Sequence, residues 1–263
     1  MAKANFIAEL NGIIDDPKYG YSDDQIMIKT GFKMFDFLNG GVTSIRGEKL
    51  IQTGIDAGKI ITIIGKPGAG KSTFAVQIAG NILERYEESS LFILDFEQAH
   101  SESRIKGVTG MSDEMFENKV TIKQTGITTE TVLEIVKQIK TLKLKYKKEL
   151  LTPNKEGFID YRTGKLKLIL PPTIVIVDSV AMMMPRDDLE KEEIQGQMST
   201  TQAAKMNSQL MRRLVQPTKE ANIIVMFINH INAKISTGIM PSAANINYLK
   251  QDETLPQKIL INS

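Results

Sequence analysis

Eight consecutive residues carry the strongest chemical signal in the sequence. They form the run Gly65-Lys66-Pro67-Gly68-Ala69-Gly70-Lys71-Ser72, which fits the Walker A pattern G-x-x-x-x-G-K-[ST] and is followed by Thr73. The run lies between a β-branched strand pattern and a helical pattern, the context in which backbone N–H groups cradle phosphates. We expect Lys71 to reach the β- and γ-phosphates of a nucleotide, and the Ser72 hydroxyl to bind Mg²⁺. The alternative is a glycine-rich turn that matches by chance.

Two carboxylates follow predicted strands and are the next candidates for chemistry. Asp178 comes directly after the apolar run Thr173–Val177, where a parallel sheet presents a carboxylate to the crevice at its strand ends. We expect it to bind Mg²⁺; the alternative is an aspartate that caps the next segment. Another apolar run ends at Asp95, and Glu97 lies two residues beyond it. At that place a carboxylate could position the attacking water of phosphoryl transfer. From the residues alone, a solvated loop acid is an equally good interpretation of Glu97.

These side chains need a scaffold, and the apolar patterns predict one of the α/β class. Runs rich in β-branched residues predict buried parallel strands at Lys59–Ile64, Leu91–Asp95, Val120–Lys123, Thr173–Val177 and Ile223–Ile228. Helical spacing lies between them, at Ser72–Tyr86, Thr128–Leu150 and Thr200–Leu214. A short helix is predicted over Ala4–Ile14, and Thr152–Pro172 is predicted to be a surface insertion that contains a small hairpin.

Composition narrows the class of protein. The 263 residues include 41% hydrophobic and 24% charged residues, close to the average for soluble globular domains. The chain has no cysteine and two histidines, which excludes thiolate chemistry and disfavours a histidine-rich metal site. No apolar run has the length of a membrane span, so we expect a cytoplasmic protein with no membrane partner. Because the net charge is only +2, binding of nucleic acid would require a local concentration of basic residues.

Several stretches, taken in order, resemble the RecA-type DNA recombinases: FKMFDFLNGG, GKPGAGKST, LFILDFEQAH, IVIVDSVAMMMP, AAKMNSQLMRRL and MFINHINAKI. The stretches FEQAH, FINH and NYLKQDE look most like the bacteriophage UvsX-like branch. The resemblance runs from about residue 28 to residue 234. It implies a RecA-like P-loop NTPase core, with a mostly parallel central sheet flanked by helices, and a DNA-dependent ATPase that acts in recombination and repair.

The resemblance also implies cofactors and residue roles. The cofactors would be ATP and Mg²⁺, with Lys71 and Ser72 at the triphosphate, Asp178 at the metal, and Glu97 activating water. His230, within FINH, would be the γ-phosphate sensor at a position where many relatives carry glutamine. A hydrogen-bonded core histidine is the alternative interpretation of His230.

Single- and double-stranded DNA are the partners that the resemblance implies, bound by a helical filament of identical subunits. Two loops would line the filament axis, at about 185–200 and 232–256. Arg212 and Lys234 would hold phosphates, and Met198 and Ile235 would wedge between bases. Two ordinary surface loops are the alternative.

The lysine-rich segment Thr141–Leu151 is predicted to be a solvated amphipathic helix rather than a DNA contact.

The end of the sequence departs from the family pattern. After the second loop, relatives continue with a Gly-Gly segment and further strands, whereas this chain has an unrelated tail at 257–263. We therefore expect a helix and linker at 1–27, a core at 28–256 that is truncated and lacks its later strands, and an open sheet edge. Two other functions stay open at this point: a RecA-like helicase or motor ATPase, and an inactive nucleotide-binding fragment.

Overall fold

The computed structural model describes residues 26–45, 48–160, 164–189, 198–231 and 258–260. In chain order the strands are β1 (Met27–Ile28), β2 (Gly41–Ile45), β3 (Glu48–Gln52), β4 (Ile55–Asp56), β5 (Ile60–Gly65), β6 (Ser90–Asp95), β7 (Val120–Lys123), β8 (Thr152–Pro153), β9 (Ile159–Asp160), β10 (Lys165–Leu166), β11 (Leu168–Ile169), β12 (Thr173–Asp178), β13 (Ile223–His230) and β14 (Lys258–Leu260). The helices are α1 (Lys33–Asn39), α2 (Lys71–Arg85), α3 (Glu102–Thr109), α4 (Asp113–Lys119), α5 (Thr129–Lys145), α6 (Lys147–Leu150), α7 (Arg186–Leu189) and α8 (Met198–Ala221), with a 3₁₀ turn at Val180–Met182.

The centre of the fold is a parallel sheet with strand order β14-β5-β13-β12-β6-β7. Its inner strands are apolar and buried on both faces, as parallel sheets covered by helices require. The predicted strands all form, with ends within two residues of those predicted from the sequence. The predicted α/β class with a mostly parallel central sheet is therefore confirmed.

Alternation along the strands divides the core into two layers. On β12, Ile174 and Ile176 pack into the layer beneath α2 and α3, which includes Ile78 and Ile82 of α2. Their neighbours Val175 and Val177 face the opposite layer, which contains Val132 and Val136 of α5 and Leu210 and Leu214 of α8. Successive strand residues point to opposite faces, so each central strand contributes to both layers.

Because the strands run in one direction, their carboxyl ends meet at one edge of the sheet. The register pairs Asp178 of β12 with Asp95 of β6 and with Ile228 of β13, and it pairs His230 of β13 with Gly65 of β5. The candidate residues predicted from the sequence therefore lie at or just beyond neighbouring strand ends on this edge.

The 152–172 insertion contains two short antiparallel pairs, β8 with β11 and β9 with β10. The side chain of Asn154 holds its turns together, because its amide donates to the carbonyls of Phe158 and Lys167. Glu156 then ties the insertion to the core through an ion pair with Arg85 of α2, at 2.8 Å.

Part of the tail pairs with the side of β5 at which an open edge was expected. Residues 258–260 lie alongside β5 as a sixth parallel strand, with Lys258 opposite Thr62 and Leu260 opposite Ile64. The segment Lys258-Ile259-Leu260 pairs with the backbone of this side of β5 and becomes the terminal strand of the sheet. The predicted helix over Ala4–Ile14 lies outside the described residues.

The prediction of a solvated lysine-rich helix is wrong for Lys143. This residue is 7% exposed, whereas its neighbours Leu142 and Leu144 are exposed. Its ammonium donates to the carbonyls of Pro171 and Asn222 and to the hydroxyl of Thr173, which lie at the amino ends of β12 and β13. Burial lowers the pKa of Lys143 to about 7. The buried lysine thus fastens α5 to the edge of the sheet opposite the site.

This lowered pKa predicts a pH-dependent stability. Between about pH 7 and the ordinary lysine value near 10.5, the unfolded chain holds a proton that folded Lys143 releases, so stability rises with pH in this window. Below about pH 7 both states hold the proton and the cost of burying the charge is fully present. The Lys143→Met variant should therefore lack this rise when the free energy of unfolding is measured by urea denaturation from pH 6.5 to 10.

Lys137→Met is the matched control, because Lys137 lies on the same helix and is exposed. Its free energy of unfolding should follow the parent's pH dependence. Equal pH profiles for the parent and Lys143→Met would contradict a deprotonation of Lys143 in this range.

Candidate functional site

The glycine-rich run forms a loop between β5 and α2. Gly68 and Gly70 have φ values of +77° and +79°, which a residue with a side chain would adopt only with strain. Their Cα atoms face open space, with nothing within 4 Å of the position that a Cβ would occupy. Helix α2 begins at Lys71, so the free N–H groups of its first turn adjoin the loop. The loop thus offers an unobstructed, electropositive cradle for an anion.

Lys71 brings a buried cation to the centre of this edge. Its Nζ atom donates to the Lys66 carbonyl at 2.8 Å and lies 3.2 Å from Nδ1 of His230. Burial lowers the pKa of Lys71, against the opposing effect of the nearby carboxylates of Asp178 and Glu97. An anion that replaced the Lys66 carbonyl as partner would restore the favourable surroundings of the ammonium.

Asp178 is a buried carboxylate held by two donors. Its Oδ2 atom accepts hydrogen bonds from Oγ of Ser72 at 2.6 Å and from Nε2 of His100 at 2.9 Å. Burial alone would raise the pKa of Asp178, but the hydrogen bonds from His100 and Ser72 lower it on balance. The carboxylate is therefore stabilised in its ionised form.

Glu97 and His230 meet on the more exposed side of the same crevice. Nε2 of His230 lies 2.8 Å from Oε1 of Glu97, and this oxygen also accepts a hydrogen bond from the hydroxyl of Ser179. A neutral ring with its proton on Nε2 satisfies both contacts of His230, because Nδ1 then accepts from the Lys71 ammonium. The predicted catalytic residues Lys71, Glu97 and His230 thus form one hydrogen-bonded chain.

The crevice fits a hard divalent cation. Ligand atoms of Glu97, Asp178 and His230 lie within 4.8 Å of one another. Oδ1 of Asp178 is buried and has no hydrogen-bond partner among the described residues. Oxygen atoms are the ligands that Mg²⁺ prefers, and the carboxylate of Asp178 beside the hydroxyl of Ser72 supplies them next to the phosphate cradle.

Sequence reasoning assigned no role to several residues that shape the loop between β6 and α3. The carboxylate of Asp95, which is fully buried, accepts from the backbone N–H of His100 and from Nε2 of Gln124, both at 2.8 Å. Gln98 has a positive φ of 54°, uncommon for a residue with a side chain, and it lies between Glu97 and His100. In the sequence, these residues were marked only by the stretch DFEQAH. Their contacts with Gln124 could not be predicted, because Gln124 meets them only in the folded chain.

The predicted DNA-contacting residues are less fully described. Met198 begins α8, and Arg212 lies on the exposed side of the same helix. Lys234 and Ile235 lie outside the described residues, as do residues 190–197 of the first predicted loop. The start of that loop forms α7, where Arg186 pairs with Glu134 of α5 at 2.9 Å.

Comparisons with known proteins find sequence similarity to RecA proteins. Residues 171–246 match the family model of the RecA N-terminal domain. Over 187 residues the chain is 28% identical to the protein RecA of Cereibacter sphaeroides, covering 71% of this chain and 43% of that protein. It is 27% identical to the protein RecA of Syntrophus aciditrophicus, covering 69% of this chain and 42% of that protein. Over a shorter stretch of 64 residues it is 42% identical to the protein RecA of Wigglesworthia glossinidia brevipalpis, covering 24% of this chain and 19% of that protein.

The longer matches are thus to bacterial RecA proteins, at 27–28% identity over about 70% of this chain. The chain spans about two fifths of the length of the first two relatives. The matched range 171–246 includes β12 with Asp178, helix α8, and β13 with His230. In the ranges that the structure describes, no helix combines the length and apolar character needed to cross a membrane.

The buried carboxylate of Asp95 holds the loop between β6 and α3, and this role predicts an effect on stability. In Asp95→Asn one oxygen can still accept from His100 and Gln124, but the new amide group replaces Oδ1, which is buried without a partner among the described residues. We expect a loss of about 1–3 kcal/mol in the free energy of unfolding, measured by chemical denaturation, because a buried donor is left unsatisfied.

The matched control is Asp56→Asn, which removes a partly exposed ion pair with Lys59. We expect a loss of at most about 1 kcal/mol from this change, since surface pairs contribute little. Equal losses from the two substitutions would show that Asp95 does not anchor the loop.

Proposed function

We propose that this chain is the ATPase core of a RecA-type DNA recombinase of the bacteriophage UvsX-like branch. It would act in the cytoplasm, form a helical filament on single-stranded DNA, and exchange strands with duplex DNA. One observation carries the proposal: Lys71, Asp178, Glu97 and His230, which come from four separate chain segments, converge beside an open phosphate cradle. The similarity to RecA proteins supports the same assignment.

The nucleotide would be held by residues Gly65 to Thr73. Backbone N–H groups of the loop and of the first turn of α2 would bind phosphate oxygens, and Lys71 would move its hydrogen bond from the Lys66 carbonyl to the β- and γ-phosphates. Ser72 and Asp178 would hold Mg²⁺, which when bound supplies charge neutralisation for the phosphates.

Glu97 would position and deprotonate the attacking water. Both side-chain contacts of Glu97 use Oε1, so Oε2 is the oxygen that would accept a proton. The hydroxyl of Ser179 and the ring of His230 would hold the carboxylate in place during this step. Lys71 would stabilise the negative charge that develops on the phosphate oxygens.

His230 would couple the nucleotide to the segment that follows it. Its ring contacts Lys71 through one nitrogen and Glu97 through the other, so a phosphate bound to Lys71 would compete for the first contact. The next residue, Ile231, donates its N–H to the carbonyl of Gly65 at the start of the cradle. The predicted DNA loop 232–256 begins immediately after this point, and its position would therefore respond to ATP.

The change Glu97→Gln separates binding from turnover. The amide keeps the shape of the side chain but cannot accept the proton of the water, so we expect the rate of ATP hydrolysis to fall by about 10²–10⁴-fold while ATP still binds. The measurement is release of phosphate, with binding of a fluorescent non-hydrolysable ATP analogue recorded in parallel.

The change Lys71→Ala is the comparison, because it removes the cation from the cradle. We expect weaker nucleotide binding and loss of hydrolysis together, with the fold retained in far-UV circular dichroism. Hydrolysis at the parent's rate in Lys71→Ala would refute the phosphate-loop assignment, and loss of binding in Glu97→Gln would make Glu97 structural.

The DNA proposal predicts a salt-dependent contact by Arg212. Affinity for single-stranded DNA, measured by fluorescence anisotropy with the same ATP analogue, should fall in Arg212→Ala. The slope of log affinity against log salt should decrease by about one, since one phosphate contact is lost. Lys219→Ala is the control, because Lys219 is exposed on α8 about 10 Å further towards the opposite sheet edge. The same slope change in both variants, or none in Arg212→Ala, would contradict the assignment.

A further inference from the structure

His100 contacts the predicted metal ligand Asp178 from outside the phosphate loop. Its side chain is 1% exposed, and its Nε2 atom lies 2.9 Å from Oδ2 of Asp178. A carboxylate only accepts hydrogen bonds, so Nε2 carries the proton of this contact. The other ring nitrogen, Nδ1, is buried and has no partner within the described ranges. The polar contact of the ring is therefore directed at Asp178.

The main chain of His100 is fixed on both sides. Its N–H donates to Asp95, and its carbonyl accepts from Nε2 of Gln124 at 2.8 Å. Gln124 also donates to Asp95, so the three residues close a ring of hydrogen bonds, with Gln124 on its partly exposed side. This frame leaves the imidazole little freedom, and a fixed donor restrains the carboxylate that it contacts.

The loop that carries His100 also carries Glu97. The N–H groups of Phe96 and Glu97 both reach the carbonyl of Asp178, at 2.6 and 3.3 Å. His100 adds a contact to the side chain of the same aspartate, three residues beyond Glu97. The orientation of the Asp178 carboxylate is thus linked to the loop that presents the predicted catalytic glutamate.

We propose that His100 is a positioning residue that orients the carboxylate of Asp178 for a divalent cation bound with a nucleoside triphosphate. The inference rests on the proposed function, since it requires Asp178 to hold that cation. Ser72, the other donor to Asp178, is itself an expected ligand, so His100 is the partner that orients the carboxylate independently of the cradle. Removing such outer partners of metal ligands typically lowers metal affinity by about 10–100-fold.

The test compares His100→Gln with His100→Asn. The glutamine amide nitrogen reaches about as far as Nε2 of histidine, whereas the asparagine amide is one bond shorter and falls short of Asp178. With a fluorescent non-hydrolysable ATP analogue, the Mg²⁺ concentration that gives half-maximal binding should rise about 10–100-fold in His100→Asn and stay close to the parent in His100→Gln. Binding of the analogue in excess EDTA should be equal in all three proteins.

Equal Mg²⁺ requirements in the two variants would overturn the inference, as would a matching loss of metal-free binding in His100→Asn. If His100→Asn does not fold, Gln124→Ala decides, because it removes a restraint on the His100 main chain while the imidazole itself is unchanged. A raised Mg²⁺ requirement with unchanged metal-free binding supports the inference, and an unchanged requirement overturns it. Absence of Mg²⁺-dependent binding in the parent would instead defeat the proposed function, and with it the inference.

Discussion

The common direction of the central strands is the constraint on which the rest of the site depends. Gly65, Asp95, Asp178 and His230 are far apart in the chain, yet each ends a strand of the same parallel sheet. Because neighbouring strands are hydrogen-bonded in register, the loops that follow them open onto one crevice. Reversing any one of these strands would move its terminal residue to the opposite edge and dismantle the site.

Within that crevice the polar groups divide into a buried half and a more exposed half. Asp178, His100 and Asp95 are almost completely buried, and their charges and dipoles are stabilised by hydrogen bonds within the protein. Glu97 and His230 lie nearer to solvent, on the side at which the proposed function requires water and a γ-phosphate to enter. In the proposed function, a buried and hydrogen-bonded half suits the binding of a cation, whereas an accessible half suits the exchange of water and product.

The opposite edge of the sheet is held by a second set of buried polar contacts. Asn222 accepts from the N–H of Gly58, donates to the carbonyl of Leu170, and offers its own carbonyl to Lys143. These bonds join the amino ends of β5, β12 and β13 to α5. The strands are therefore fastened at the edge that carries no predicted chemistry, which keeps their carboxyl ends in register.

The patterns of the sequence by themselves predicted the class of fold, the phosphate loop and the candidates Lys71, Ser72 and Asp178, whereas the roles of Glu97 and His230 came from the resemblance to RecA-type recombinases. Alternation, glycine spacing and strand-end carboxylates are local patterns, and local patterns are visible in a sequence. Only the tertiary structure decided that His230 bridges Lys71 and Glu97, that His100 supports Asp178, and that Lys143 is buried beside exposed leucines. Those contacts join residues 28 to 159 positions apart, and which distant groups meet depends on strand order and helix packing rather than on spacing along the chain.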